Sequence, residues 1–460
     1  MSAPRGHRSS KHRANGTAAA EVLGGLVRGA GCWGLSSQQE LWRALDEPLG
    51  TALRACSVES LSDWQEMIRF VAYNRDPRRL QWLARLLLQL EPADATSATS
   101  LALAKYLRFL APLLVELGWR GVPLLRQLLQ GEGLSRWISH PYKQVREEAG
   151  TVLALAMHAA SPTSQNHPHL SAELGSAIET FLEHLVSSCR ASLVGHDELE
   201  PEGEEERTQA RGARECLLSC LRHCLKLARP QACAAHLPEC IGAIMTTAAS
   251  TQPPDLSTFA KKVAVLLVQA PLAPEVQARF FGELGVLARS ASWHLRGCTL
   301  LPLNLLAYIG QYAPCAQKDL ARELLLGLLQ DPQQEVREAV VPVLSGFVRI
   351  HGALERQQLL EWAQKRLRRG SALVERHAGA LALESLVQLA PYEIPQWLPE
   401  VLERLAALAN EGQPIKRGVQ RAFTDFRRTH QDNWSEHKLR LSPEQQDLFA
   451  DVVVAPSFYA

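Results

Sequence analysis

The sequence predicts an all-α chain, a superhelix of stacked helix pairs that ends in an extended tail. Three observations predict it. Apolar residues recur at helical spacing, as in Leu83, Leu86, Leu87 and Leu90 and again in Leu217, Leu218, Leu221 and Leu225. Alternating β-branched runs are nearly absent, Val452-Val453-Val454 being the one short exception. One pattern also returns along the chain: His140-Pro141-Tyr142-Lys143-Gln144-Val145-Arg146-Glu147 is matched by Asp331-Pro332-Gln333-Gln334-Glu335-Val336-Arg337-Glu338. In both, Pro opens a helix at its first turn, where a missing N–H costs nothing. Val then faces a core, and Arg follows it.

Taken in order, residues 1–20 read as a disordered basic arm. Arg5, His7, Arg8, Lys11, His12 and Arg13 stand there among Ser, Gly and Pro, either as a solvated tail or as a patch for a polyanion or an import receptor. Helical periodicity takes over at about residue 40. From 40 to 372 the Pro-x-x-x-Val-Arg pattern resembles the second helix of a HEAT repeat, an armadillo-type unit. Looser copies run through Ala372-Leu373-Val374-Glu375-Arg376-His377-Ala378 and Gln413-Pro414-Ile415-Lys416-Arg417-Gly418-Val419, about 40 residues apart, within the range of paired-helix repeats. One such pair cannot bury its apolar face alone, so neighbours must stack into a solenoid. Two stretches interrupt the pattern: a polar loop at 161–169 and an acidic loop at 197–206, the latter too charged to pack.

Composition narrows the function classes. The 460 residues are 46% hydrophobic and 21% charged with a net charge of +1, so no global field draws the chain to nucleic acid or to an anionic membrane. No apolar run reaches 18 residues, and the basic N-terminus lacks the apolar core of a secretory signal. Ten cysteines without framework spacing point to a reducing compartment. Motifs for nucleotide binding, zinc peptidase chemistry and a serine elbow are missing, and the reading is non-enzymatic. Cys216, Cys220 and Cys224, with Cys233, His236 and Cys240 downstream, lack zinc-site spacing and read as buried core. His158, His167 and His169 lie in and beside the polar loop and carry no metal pattern. Trp293 and Trp397 read as core anchors rather than as a ligand box.

From Leu373 to Ala460 the chain resembles the C-terminal domain of the proteasome activator complex subunit 4 family, the large HEAT-repeat proteasome activators. The residues that carry the resemblance are Arg376-His377-Ala378-Gly379, Pro391-Tyr392-Glu393-Ile394-Pro395-Gln396-Trp397-Leu398-Pro399 and Gln413-Pro414-Ile415. They continue through Phe426-Arg427-Arg428-Thr429-His430-Gln431-Asp432-Asn433-Trp434, Glu436-His437-Lys438 and the closing Phe458-Tyr459-Ala460. Upstream, His140-Pro141-Tyr142-Lys143 and Ser292-Trp293-His294 with Arg296 look like the same family, while the first 40 residues carry no such likeness.

The resemblance implies a mechanism. Its members cap the 20S core proteasome, and their hydrophobic-Tyr-X tail enters a pocket between adjacent α subunits and shifts the gate. Here Phe458 is the hydrophobic member, Tyr459 the tyrosine and Ala460 the bearer of the carboxylate. Pro456 restricts the residue before it to an extended form, which lowers the entropy lost on insertion. The resemblance further implies ubiquitin-independent degradation, acetylated histones as partners, DNA repair, and residence in nucleus and cytoplasm, with no membrane and no direct nucleic-acid contact. The family reads acetyl-lysine with an asparagine, yet none lies between Asn304 and Asn410, and His351 in the corresponding stretch is a poor substitute. Inositol phosphate is the one cofactor implied. Lys365, Arg366, Arg368 and Arg369 form the matching basic cluster, with a solvated helix end as the other reading. Two further readings stand beside this one: a generic HEAT scaffold that grips a protein on its concave face, and a truncated competitor of a longer activator.

Overall fold

The computed structural model describes residues 6–92, 100–130, 133–138, 140–160, 174–176, 178–180, 182–183, 185–186, 204–226, 237–250, 254–270, 272–309, 315–368 and 370–452. Among them are helices and turns and no strand, so the all-α HEAT-like solenoid holds. The chain divides into two compact units, Met1–Ile244 and Met245–Ala460.

The first unit runs through α1 (Gly6–Gly29), α2 (Leu35–Ala55), α3 (Leu61–Ala72), α4 (Gln81–Leu88) and α5 (Ser100–Leu117). It continues with α6 (Val122–Gln130), α7 (Gly133–Ile138), α8 (Lys143–Ala160) and α9 (Glu204–Lys226). A helix α10 (Leu237–Ala249) spans the boundary. The stack runs α1 on α3, α3 on α5, α5 on α8, and α8 on α9. The sequence dictates this layer. α3 buries Leu61, Trp64, Met67, Ile68 and Val71, a 3-4 stripe. α8 buries Val145, Ala149, Val152, Leu153 and Ala156, wrapping more of its circumference, as a helix gripped on two sides must. Gly150 lets α9 approach: a Cβ there would run into the Cys216 carbonyl and lie 2.9 Å from the Cys220 nitrogen.

The second unit contains α11 (Pro254–Val268), α12 (Pro274–Leu287), α13 (Trp293–Cys298), α14 (Leu300–Ile309), α15 (Cys315–Leu328) and α16 (Gln334–His351). It closes with α17 (Ala353–Arg366), α18 (Leu373–Val387), α19 (Leu398–Ala406), α20 (Ile415–His430), α21 (Trp434–His437) and α22 (Pro443–Val452). One layer stacks α11, α14, α16, α18 and α20 in turn, while α15, α17 and α19 pair with members of that layer.

An arginine has the same task at three places in the chain. Arg146 donates from Nη1 to the carbonyls of His140 (2.5 Å) and Pro141 (2.7 Å), five and six residues back. Arg337 does the same to Asp331 (2.5 Å) and Pro332 (2.9 Å), and Arg296 to Ser290 and Ala291 (both 2.8 Å). Each ties the turn before a helix to that helix and satisfies carbonyls that the helix cannot. Its remaining nitrogens reach another element: Arg146 to Glu215, Arg296 to Asp331, Arg337 to His377. In the second unit those reaches span 35 and 40 residues, which is the repeat length.

Three expectations need correction. Residues from Gly6 onward are helical, so the basic arm of 1–20 is not disordered over that part. Ala20 and Val27 are buried and α1 packs on α3, while Thr17 Oγ1 donates to Asp63 (2.7 Å): apolar residues just beyond the basic cluster carry the helix. The helical array therefore starts well before residue 40. The acidic stretch 197–206 also ends in a helix, because residues 204–206 form the first turn of α9. Val452, the first of the short β-branched run, closes α22. The polar loop at 161–169 and residues 197–203 lie outside the described residues.

Candidate docking surface of the C-terminal unit

Residues 453–460 lie outside the described residues, so Phe458, Tyr459 and Ala460 have no described geometry. What the structure describes is the root of that tail. Ser442-Pro443-Glu444-Gln445 starts α22 with a reciprocal cap: Gln445 N donates to Ser442 Oγ (3.2 Å) and Ser442 N donates to Gln445 Oε1 (2.9 Å). Pro443 takes the first helical position. Ser442 Oγ donates to Glu444 Oε2 (2.8 Å), and backbone and hydroxyl donors together hold that carboxyl below its usual range. α22 then packs on α19 and α20, with Phe449 and Val452 buried and the Phe449 ring 5.5 Å from that of Phe423. Gln445 Nε2 donates to Glu403 (2.6 Å). The chain is thus anchored up to Val452.

The segments that carry the family resemblance meet in space. His430 lies buried at the end of α20, with Nδ1 2.8 Å from the Phe426 carbonyl and Nε2 3.2 Å from the Glu393 carbonyl, so it links the 391–399 stretch to α20. Arg440 donates to the Ile394 carbonyl beside it (3.1 Å). The Phe426 ring meets Trp434 edge-on at 6.4 Å, and His430 meets His437 at 5.0 Å. One packed knot therefore holds residues 37 and 46 positions apart in sequence.

A polar network crosses the same unit. Arg421 of α20 grips buried Glu384 of α18 with two bonds, Nε to Oε1 (2.8 Å) and Nη2 to Oε2 (3.0 Å), and reaches Glu338 of α16 at 3.2 Å. Burial pushes the Glu384 carboxyl up, Arg421 opposes it, and the Glu384 carboxylate holds the guanidinium firmly charged. Arg337 Nε donates to His377 Nδ1 (3.0 Å). Burial and the Arg337 charge lower His377 to about 4, so the ring is neutral and carries its proton on Nε2, an atom with no hydrogen-bond partner among the described residues. Sequence reading missed this network and the cap at Ser442. The Ser-Pro-x-Gln pattern before an apolar turn was the signal for the cap, whereas Arg421, Glu384 and Glu338 have no motif.

The other predicted residues are scattered. Of the basic cluster, Lys365 and Arg368 are exposed, Arg369 lies outside the described residues, and Arg366 is already engaged. Its guanidinium stacks 3.6 Å over the Trp362 ring and donates to Gln330 Oε1 (3.1 Å). His351 meets Phe347 at 4.5 Å and does not line the cavity beside Trp293. That cavity, about 370 Å³, is walled by Trp293, His294 and Leu301 over a floor of Val336 and Ala264, with Lys261 and Glu335 at its mouth and no asparagine in its lining. Trp293 is half-buried and stacked on His294 at 3.7 Å, and Trp397 is half-buried under Arg356 at 4.8 Å. Neither tryptophan is a full core residue, because each keeps one face for a charged or polar neighbour. Cys216, Cys220, Cys224 and Cys240 are buried as small apolar residues, while Cys233, His236, His167 and His169 lie outside the described residues.

Comparison with known proteins bears on this unit first. Residues 373–460 match the family model described as "Proteasome activator complex subunit 4-like, C-terminal", and residues 8–111 match "Proteasome activator complex subunit 4-like, HEAT repeat-like". These two segments are similar to the proteasome activator complex subunit 4-like family. Curated relatives agree across nearly the whole chain. Proteasome activator complex subunit 4A of Danio rerio is 29% identical over 98% of this chain, and so is proteasome activator complex subunit 4 of Homo sapiens. Proteasome activator subunit 4 of Arabidopsis thaliana is 25% identical over the same share. The chain spans about a quarter of the length of the curated relatives it matches, 26% for the first two. The match from residue 8 shows that the likeness to the activator family starts within the first 40 residues, earlier than the sequence motifs had placed it. Among solved structures, Kap95p with RanGDP aligns over 95% of this chain and 53% of that chain at 12% identity and a TM-score of 0.45.

Proposed function

We propose that this chain is a regulatory protein that docks on the α-ring of the 20S core proteasome through Phe458, Tyr459 and Ala460 and promotes gate opening. The observation that carries the reading is that the match to the family's C-terminal domain runs through residue 460. The root of the tail adds support: α22 is capped at Ser442 and buried at Phe449 and Val452, so a tail leaving it starts from a fixed point and loses less entropy on insertion. In the receptor, Phe458 fills an apolar slot and the Tyr459 hydroxyl finds a hydrogen-bond partner. The Ala460 carboxylate pairs with a cation, which makes insertion sensitive to length. The same reading extends to ubiquitin-independent degradation in nucleus and cytoplasm, with acetylated histones and DNA repair as its setting.

Co-sedimentation with purified core proteasome tests the docking. Deletion of Ala460, or extension by a few residues, is expected to abolish it. Unchanged binding would sink the proposal.

A further inference from the structure

Helix α20 has one face that its own stability does not explain. Ile415, Val419, Ala422, Phe423 and Phe426 bury one side. The opposite side carries Lys416, Arg417, Thr424, Arg427 and Arg428, all exposed, within an arc of about 120° at 100° per residue. Arg428 pairs with Asp425 on the same helix (3.0 Å), while Lys416, Arg417 and Arg427 have no carboxylate partner among the described residues. The first turn contains no acidic residue, so Lys416 and Arg417 stand at the positive end of the helix dipole. Placement of cations there costs stability, whereas carboxylates would add to it. An anionic partner repays that cost.

The tail fixes where such a partner lies. Val452, the last described residue, stands three residues beyond Phe449, whose ring contacts Phe423 in the middle of α20. Eight residues, 453–460, reach at most about 27 Å, and α20 is itself about 24 Å long. Whatever receives Ala460 is therefore within reach of this helix.

We propose that the cationic face of α20, centred on Lys416, Arg417 and Arg427, is a second docking surface that meets an acidic protein surface beside the receptor of the tail. The proposal rests on the docking reading above. A protein surface fits better than nucleic acid. Asp425 stands among the cations and pairs with Arg428, no aromatic ring lies on the face to stack on a base, and the net charge of the chain is only +1.

Binding of the full chain to purified core proteasome at 50 and 300 mM salt tests it, with four forms compared: unaltered, K416E/R417E/R427E, a form lacking residues 458–460, and the two changes combined. The charge reversal is expected to weaken binding about tenfold at 50 mM and to flatten the salt dependence. The substitutions at 416 and 417 should leave thermal stability unchanged or raised, which separates lost contact from lost fold. Reversal that leaves affinity and salt dependence unchanged overturns the proposal, even if tail deletion abolishes binding. Tail deletion without effect overturns the tail reading, while loss on charge reversal keeps this surface. An unaltered chain that does not bind at either salt overturns both. A labelled 20-nucleotide oligo-dT that binds through Lys416, Arg417 and Arg427, with proteasome binding untouched, overturns the choice of partner.

Discussion

His377 stands where the neighbouring arginine devices have a carboxylate. Arg146 reaches Glu215 and Arg296 reaches Asp331, but Arg337 reaches a neutral imidazole, which must stay neutral to accept from Nε. Arg337, Arg421 and Glu338 are the charged groups that act on it, and burial is the largest cause of its depression to about 4. An unfolded histidine titrates near 6.5. Between about 4 and 6.5 the unfolded chain therefore binds the extra proton, and stability rises with pH. The contribution is complete above about 6.5 and is lost as pH falls through the folded value, up to about 3 kcal/mol in all. Thermal melts at pH 4.5 and 7 should show a steep acid loss in the unaltered chain and a shallower one in His377→Gln. Equal slopes for the two forms would contradict the assignment.

At the scale of the element, α22 is short, and its hold depends on a few contacts. The Ser442–Gln445 cap satisfies two orphan N–H groups, and Phe449 with Val452 supplies the apolar anchor. Ser442→Ala is expected to cost about 1 kcal/mol. Because the loss falls on the terminal helix, hydrogen exchange should quicken in 443–452 while α16 and α18 keep their protection. Uniform loss of protection would argue against a local cap. The element scale also shows what the sequence made legible. The Pro-x-x-x-Val-Arg pattern identified the helices of the stack because Val145, Val336 and their arginines are set by local geometry, a buried turn and two carbonyls. The helical N-terminus was hidden because its basic residues read as solvated charge, while its contacts, Ala20 and Val27 on α3, are distant in sequence. The Arg421–Glu384–Glu338 network escaped for the same reason: its three members belong to three repeats, and no spacing within one repeat announces them.

For the whole molecule, docking and activation are separate free energies. A ligand shifts a gate only by the difference between its affinities for the open and closed rings, so a tail that binds both equally would occupy the pocket and change nothing. Segments 8–111 and 373–460 are similar to the activator family. The proposed second contact on α20 would add to that of the tail, and a two-point contact constrains the receptor more than a peptide does. Hydrolysis of a fluorogenic peptide by latent core proteasome is therefore expected to rise saturably with this chain. The rise should disappear in Tyr459→Ala, and it should fall with salt in parallel with binding. If the chain alone gives no stimulation yet lowers that produced by a longer activator, and deletion of Ala460 removes the inhibition, the tail binds without favouring the open ring. The competitor reading then replaces the activator reading, with the docking geometry unchanged.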